Sequence, residues 1–238
     1  MDKKYEEVVI NKRKLDMYYK IEDFPENINI FLIQDGQMLK DIENNIVDKL
    51  LSEYNNICLL FIHSEDRNKE YTPWKLSSNV HYLEDYKGGA DEYLEEVMEE
   101  IIPFIDNRFK SGKINYYLVG SSLGGLVSTY GVLKYSTIFS GGVFISSSYW
   151  FIDFLDFIEK VELENKDLKI YMDVGDSEGS GKINYNTDIV KQTTKVYELL
   201  INRGIDKDNI SFIIQENMHH DISFFIDRIY DGIKFILS

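Results

Sequence analysis

The sequence contains a single cysteine, Cys58, among its 238 residues. One cysteine cannot form a disulfide or a cysteine-rich metal site within a chain. Cys58 lies in the apolar run NICLLFI, which is typical of a buried strand. We therefore expect it to be an inert core residue.

Long apolar runs are also missing. No stretch of about 18 apolar residues occurs, which is the length that a membrane-spanning helix needs. The N-terminus, MDKKYEEVVINKRK, is charged where a signal peptide requires an apolar segment. The sequence therefore predicts a soluble cytoplasmic protein with no membrane partner.

Positive charge is scarce. Lysine and arginine number 26 against 41 aspartates and glutamates, which gives a formal net charge of −15. A field of this sign repels polyanions, because it raises the energy of bringing a phosphate backbone or an anionic lipid surface close. The charge thus argues against nucleic acid as a partner.

Internal repeats and low-complexity linkers are absent as well. The composition is 44% hydrophobic and 14% aromatic, which is enough to bury a full core in a chain of this length. We therefore expect a single domain over residues 1–238.

The hydrophobic pattern alternates between strand and helix. In the first 22 residues, apolar and polar positions alternate, which predicts an antiparallel strand pair. Buried strands are predicted at 28–33, 57–62, 115–119, 141–146, 168–174 and 210–215, and helices at about 41–54, 89–109, 123–135, 187–203 and 222–236. Such alternation indicates an α/β fold with a mostly parallel central sheet and helices on both faces. Two longer irregular stretches, 63–87 and 175–186, follow strand ends, where open α/β sheets build sites.

The segment YLVGSSLGG, at 117–125, has the spacing of a nucleophile elbow. A strand that turns sharply into a helix leaves the central residue in a strained conformation, so glycines are needed two positions before and after it. Ser122 occupies that central position between Gly120 and Gly124. We expect it to be an exposed nucleophile.

A serine nucleophile needs a histidine base and usually a carboxylate behind it. His219 and His220 follow the last predicted strand, and DVGDSEG follows the strand before it. The chain order serine, acid, histidine is that of α/β-hydrolases. The residues alone leave both histidines open, and they leave Asp173, Asp176 and Glu178 open as the acid.

Several segments together resemble the Putative esterase family of α/β-hydrolases, which includes enterochelin esterases, their periplasmic relatives and esterase D-type enzymes. The resemblance covers about residues 28 to 236. It rests on IFLIQDGQ at 30–37, DRNKEYTPW at 66–74, GGADEYLEEVMEEIIPFIDNRF at 88–109, VGSSLGGLVSTYG at 119–131 and ISSSYWF at 145–151. The resemblance implies a serine carboxylesterase acting on a small-molecule ester, among which aryl, acyl and siderophore-type lactone esters are candidates.

The same resemblance narrows the catalytic residues. The family's Gly-x-x-acid pattern matches Gly175 to Glu178, which implies Glu178 as the acid. The family's terminal histidine pattern matches His219 and favours it over His220. The backbone N–H groups of Leu123 and of Gln37, in the Asp-Gly-Gln turn, are then the expected donors to the oxyanion.

A substrate cleft is expected from two aromatic segments. Arg67, Tyr71 and Trp74 follow one strand, and Tyr149 and Trp150 follow the strand after the elbow helix. An arginine can clamp carboxylate or catecholate oxygens, and aromatic walls suit a flat acyl group. Gly36 would let the backbone approach the substrate closely.

No metal or cofactor is expected. Residues adjacent in the sequence, such as His219, His220 and Asp221, seldom point at one metal ion. The glutamates at 92–100 are expected to form a polar, solvated helix face. Two other functions use the same fold: a non-catalytic binding protein, and an acyltransferase with the same nucleophile. The sequence gives no indication of an oligomeric state.

Overall fold

The computed structural model of the protein describes residues 2–21, 25–39, 43–76, 85–178 and 189–238. The chain divides into two compact units, Met1–Leu118 and Val119–Ser238. The expectation of a single domain over residues 1–238 stays a prediction.

The first unit begins with strands and continues as alternating strands and helices. Its strands are β1 (Lys4–Ile10), β2 (Arg13–Lys20), β3 (Asn27–Ile33), β4 (Ile57–Ile62), the short pair β5 (Lys75–Leu76) and β6 (Tyr86–Lys87), and β7 (Lys113–Ser121). Its helices are α1 (Gly36–Leu39), α2 (Glu43–Glu53), α3 (Arg67–Glu70), α4 (Ala90–Glu96) and α5 (Ile102–Phe109). Strand β7 crosses the boundary between the units.

The strand order in the first unit is β1-β2-β4-β3-β7. Strands β1 and β2 pair antiparallel, as do β2 and β4, whereas β3 and β4 are parallel. All six residues of β4 are buried, because both faces of a strand in the middle of the sheet are covered. Cys58 is among them and is completely buried. The predicted antiparallel pair at the N-terminus is confirmed.

The helical stretch from residue 90 to residue 109 contains one π-helical turn, Val97–Ile101, between α4 and α5. Pro103 is the second residue of α5, which begins after this turn. Because proline has no N–H and its ring crowds the carbonyl four residues earlier, the regular hydrogen-bond ladder is interrupted there. The single helix predicted over 89–109 is therefore present with this one irregularity.

The second unit continues the alternation. After the end of β7 it contains α6 (Leu123–Lys134), β8 (Phe139–Ile145), α7 (Phe154–Lys160), β9 (Lys169–Gly175), α8 (Ile189–Asn202), β10 (Ile210–Gln215) and α9 (Ile222–Leu237). The strand order is β7-β8-β9-β10. Strands β8, β9 and β10 are parallel, with Ile145 opposite Asp173 and Gly175 opposite Gln215. Their C-terminal ends therefore meet at one edge of the sheet.

The predicted fold class is confirmed: the sheet is mostly parallel, with an antiparallel pair at the N-terminus. Helices α1, α3 and α7 lie in segments for which the sequence predicted none. The first predicted irregular stretch contains α3 and the β5-β6 pair, and its residues 77–84 lie outside the described residues. Residues 179–186 of the second stretch also lie outside them.

Candidate active site

Ser122 lies at the turn from β7 into α6, where the sequence predicts the elbow. Its φ of 56° and ψ of −121° lie outside the regions that L-residues favour. A Cβ atom on Gly120 would collide with the carbonyl oxygen of Gly124, and one on Gly125 would collide with the side chain of Ser147. The turn therefore depends on glycine at 120 and 125.

The end of β8 and the loop after it bond to Ser122. The Ser122 N–H donates to the carbonyl of Ile145 at 3.0 Å, and the Ser148 N–H donates to the carbonyl of Ser122 at 3.0 Å. The Ser122 Oγ lies 3.4 Å from the Ser148 Oγ. Leu123 is the first residue of α6, so its N–H has no acceptor within the helix and can donate to an anion. That role for Leu123 stays a prediction.

Glu178 is a buried carboxylate in the turn after β9. Its Oε1 accepts hydrogen bonds from the Ser146 Oγ and from the Gly175 N–H, the latter at 2.8 Å. Its Oε2 lies 2.9 Å from the Nδ1 of His220. Burial alone would raise the pKa of this carboxyl, but the hydrogen bonds from His220, Ser146 and Gly175 outweigh burial and hold the pKa below its usual value. Glu178 is therefore ionised at neutral pH.

The histidine that contacts Glu178 is His220, whereas the prediction chose His219. His220 is half-buried, and its ring meets Phe225 edge to face at 5.2 Å. His219 is exposed, and its carbonyl accepts the N–H of Asp221 in the turn before α9. Neighbouring side chains in such a turn point in different directions, so only one of the two can face the acid. This pairing corrects the choice between them.

Because a carboxylate only accepts hydrogen bonds, the Nδ1 of His220 is the donor to Glu178. The ring therefore holds its proton on Nδ1 and leaves Nε2 as the nitrogen that can accept one. This is the tautomer that a general base requires.

The two turns that carry Glu178 and His220 are bonded to each other. The Asp176 N–H donates to the carbonyl of Gln215, and the Ser177 N–H donates to the carbonyl of Met218. The Asn217 N–H donates to the Asp176 carboxylate at 2.8 Å. Asp176, one of the three candidate acids, thus joins the turns, and its described hydrogen bonds do not involve a histidine.

Asp173, another candidate acid, is completely buried and bonded to Arg228 through both carboxylate oxygens. Burial raises its pKa, and the hydrogen bonds and charge of Arg228 oppose that rise in part. Tyr171 and Gln215 also donate to it. Its described contacts therefore make it a partner of Arg228, and Glu178 is the carboxylate that meets a histidine.

Sequence reasoning missed the roles of Ser146 and Arg228. Ser146 lay inside the segment ISSSYWF, but only the fold shows that its hydroxyl bonds to Glu178. Arg228 is 82 residues further along and bonds to the same hydroxyl from α9. A single arginine on an amphipathic helix forms no sequence motif, so the sequence does not indicate that Arg228 contacts Ser146.

The structure corrects the substrate role predicted for Tyr149. Its side chain is 2% exposed, its hydroxyl lies 2.8 Å from the Thr129 Oγ1, and its ring stacks on Phe154. Burial raises its pKa to about 12. Tyr149 therefore belongs to the core. Trp150 is partly exposed, and its role in substrate binding stays a prediction.

In the first unit, Asp35, Gly36 and Gln37 form the turn after β3. Asp35 has a φ of 61° and is buried. A Cβ atom on Gly36 would meet the backbone of Phe61 and, at 2.8 Å, the ring of His63. Gly36 is thus required by packing, and its predicted closeness to substrate is untested.

Gln37 is exposed and fixed by Ser64. Its Nε2 donates to the Ser64 Oγ at 2.6 Å, and its Oε1 accepts from the Ser64 N–H at 3.0 Å. The amide N–H of Gln37 lies in the first turn of the short helix α1. Its predicted role as an oxyanion donor stays a prediction.

Arg67, at the start of α3, and Tyr71, directly after α3, hold the turn that follows β3. This position corrects the substrate role predicted for Tyr71. Arg67 donates from Nε to both oxygens of Asp35, at 3.0 and 3.1 Å. Tyr71 is completely buried, and its hydroxyl accepts the Asp35 N–H at 3.0 Å. Burial raises the pKa of Tyr71 well above its usual value. Arg67 and Trp74 are partly exposed, so their substrate roles stay predictions.

Among the residues that the structure describes, no group of three or more histidine, cysteine, aspartate or glutamate side chains is arranged to hold a metal ion. Within the same residues, no helix is both long and apolar enough to cross a membrane.

Comparison with known proteins identifies relatives with this architecture. YbbA, an uncharacterized protein of Bacillus subtilis strain 168, is 26% identical over 208 residues, which cover 86% of this chain and 83% of YbbA. An IroE-like serine hydrolase from Shewanella oneidensis superposes with a TM-score of 0.73 at 19% identity, covering 97% of this chain and 79% of the hydrolase. The siderophore hydrolase EstB from Aspergillus nidulans superposes with a TM-score of 0.72 at 17% identity, covering 98% and 93%.

At these identities the two solved structures establish the α/β-hydrolase fold. The family is established separately, since the model of the Putative esterase family matches residues 16–234. That match includes the elbow at Ser122 and the turns that carry Glu178 and His220. The chain belongs to the Putative esterase family, and it is an esterase.

Proposed function

We propose that this esterase hydrolyses carboxylic esters of small molecules through an acyl-enzyme on Ser122, with His220 as the general base and Glu178 as the carboxylate that orients it. The hydrogen bond between Glu178 and His220 carries the proposal. A buried, ionised carboxylate fixes the half-buried imidazole at the strand edge where the elbow serine also lies. The base is thus His220 in place of His219.

In the first half of the reaction, His220 Nε2 takes the proton of the Ser122 hydroxyl as Oγ attacks the ester carbonyl. The imidazolium then gives that proton to the leaving alcohol. Water repeats both steps on the acyl-enzyme, releasing the acid and restoring Ser122. Glu178 stabilises the imidazolium in each half, because its negative charge lies 2.9 Å from Nδ1.

The negative oxygen of each tetrahedral intermediate needs a donor close to Ser122. The N–H of Leu123 suits this role, since it is the residue after the nucleophile and opens α6. The N–H of Gln37 is the second proposed donor.

The substrate class stays broad in this proposal. EstB is a siderophore hydrolase, which makes siderophore-type lactone esters candidates alongside aryl and acyl esters. The net charge of −15 opposes this choice, because a ferric tris-catecholate is an anion. A neutral ester is the better expectation.

The adjacent histidines allow a matched test of the mechanism. We expect His220→Ala to lower kcat/KM for p-nitrophenyl acetate by about 10⁴-fold or more, and Ser122→Ala by about 10⁵-fold or more. His219→Ala should stay within about twofold of the parent, because His219 is exposed and does not meet the acid. Labelling of Ser122 by a fluorophosphonate gives an independent measure of its nucleophilicity.

Four results would contradict the proposal. Full activity in Ser122→Ala excludes this nucleophile, and a larger loss in His219→Ala than in His220→Ala excludes this base. A folded parent protein that neither reacts with the fluorophosphonate nor hydrolyses activated esters would be a binding protein instead. Ester product formed with an added alcohol, in preference to hydrolysis, would indicate an acyltransferase.

A further inference from the structure

Behind Glu178 lies a buried group of polar side chains that the reaction steps above do not use. It consists of Ser146 at the end of β8, Arg228 on α9 and Asp173 on β9. Resting on the proposed function, we propose that Ser146 and Arg228 are positioning residues, which hold the Glu178 carboxylate in the orientation that presents Oε2 to His220.

The contacts form a chain from Arg228 to the histidine. The Arg228 Nη2 donates to the Ser146 Oγ at 2.7 Å, and the Ser146 Oγ donates to the Glu178 Oε1. The Arg228 Nη1 also lies 3.6 Å from that same Oε1. Because Ser146 and the Gly175 N–H both bond to Oε1, Oε2 is left to face His220.

The position of Ser146 is itself unusual. Its φ is 45°, in the left-handed region that a non-glycine residue seldom adopts. Its N–H donates to the carbonyl of Asp173 at 3.0 Å, which ties this conformation to β9. Ser146 is 1% exposed, so its hydroxyl serves the interior and does not contact substrate.

Charge balance explains why an arginine stands here. Asp173 and Glu178 are both buried, and two carboxylates so placed would favour protonation of one of them. Arg228, 3% exposed, donates to Asp173 and lies beside Glu178, so its positive charge favours the ionised form of each carboxylate. The imidazolium that forms on His220 during the reaction places a second positive charge beside Glu178.

Two substitutions test this role. Ser146→Ala removes the hydroxyl between Arg228 and Glu178 but leaves the Arg228–Asp173 ion pair in place, so the fold should survive. Arg228→Lys keeps the charge and loses the planar fork that reaches Ser146 and Asp173 together. Ser136→Ala is the matched control, because Ser136 is also buried and accepts a backbone N–H, from Asn165.

With p-nitrophenyl acetate, we expect each test variant to lower kcat by about tenfold while KM stays within about twofold, because neither side chain is exposed to substrate. The control should match the parent. The rate of Ser122 labelling by a fluorophosphonate should fall in parallel.

The pH dependence separates positioning from mere stability. Among the residues that the structure describes, the charged and titratable groups facing Glu178 are His220 and Arg228, and Asp173 lies behind Arg228. A carboxylate that loses a donor binds a proton more strongly, so the Glu178–His220 pair should release its proton at higher pH. The acidic limb of kcat/KM in Ser146→Ala should therefore move up by about one pH unit.

The inference fails if Ser146→Ala keeps the parent's kcat and acidic limb, whatever its effect on thermal stability. Ser146→Ala decides this even if Arg228→Lys does not fold. Failure of the proposed function would look different, because the parent protein itself would then show no labelling at Ser122 and no ester hydrolysis.

Discussion

At the scale of single residues, Gly175 decides whether Glu178 and His220 can meet. A Cβ atom at this position would collide with the carbonyl oxygen of Met218, two residues before His220. The Gly175 N–H also donates to Glu178. One hydrogen atom in place of a side chain thus lets the two turns approach.

We expect Gly175→Ala to lower the free energy of unfolding by about 1–3 kcal/mol, because the added methyl overpacks the contact. The Met218 carbonyl must move away, and His220 moves with it, so kcat/KM should fall by about tenfold or more. Thermal unfolding and hydrolysis of p-nitrophenyl acetate measure the two effects.

Gly112→Ala is the control for that substitution. Gly112 is exposed, and its added Cβ would lie 3.1 Å from the Glu26 carbonyl oxygen, a contact that a small shift relieves. We expect an effect on stability within about 1 kcal/mol and an unchanged kcat/KM. A folded Gly175→Ala protein with the parent's kcat/KM would show that the two turns tolerate separation.

The choice between His219 and His220 shows what the sequence cannot predict about single residues. The sequence predicts a histidine in this turn, since the turn follows the last strand and the chain order demands a base there. Which of two neighbours faces the acid depends on backbone angles such as the positive φ of 57° at Asn217. Hydrophobic periodicity does not determine such a backbone angle. The match to the family pattern therefore favoured His219, whereas His220 is the histidine that bonds to Glu178.

At the scale of elements, helix α3 holds the turn after β3. Arg67 at its start bonds to Asp35, and Tyr71 at its end accepts the Asp35 N–H. Glu70 accepts two hydrogen bonds from the buried Arg13, which ties α3 to β2. A helix of four residues is thus fixed by its contacts, because it is too short to be stable alone.

We expect Tyr71→Phe to lower the free energy of unfolding by about 1–3 kcal/mol, because the buried N–H of Asp35 would lose its acceptor. The KM for neutral esters should stay unchanged, since Tyr71 is completely buried. Chemical denaturation and steady-state kinetics measure these effects.

Tyr54→Phe is the matched control, because Tyr54 is partly exposed and its hydroxyl makes no hydrogen bond with the described residues. Its stability should stay within about 0.5 kcal/mol of the parent. A raised KM at unchanged stability in Tyr71→Phe would instead restore the substrate role that the sequence suggested for this tyrosine.

The elements themselves were largely predictable. Buried parallel strands such as β4 and β9 are nearly continuous apolar runs, so their positions follow from composition. The sequence does not predict helix α7, because Phe154–Lys160 follows an aromatic segment and has no clear amphipathic period of its own. The aromatic cleft was predicted from side-chain type, which cannot distinguish a wall from a core position, and Tyr149 lies in the core.

At the scale of the whole molecule, the net charge of −15 acts on every charged substrate. Repulsion between like charges lowers the rate at which enzyme and substrate meet, and dissolved salt screens this repulsion over a Debye length of about 10 Å at 0.1 M.

We therefore expect kcat/KM for the p-nitrophenyl monoester of succinate, an anion, to rise by about threefold or more from about 10 mM to about 0.2 M NaCl. Neutral p-nitrophenyl acetate, with the same leaving group, should change by less than about twofold. An anionic ester that reacts faster at low salt would reveal a local positive field strong enough to reverse the overall charge, and it would make anionic siderophore esters the better substrate class.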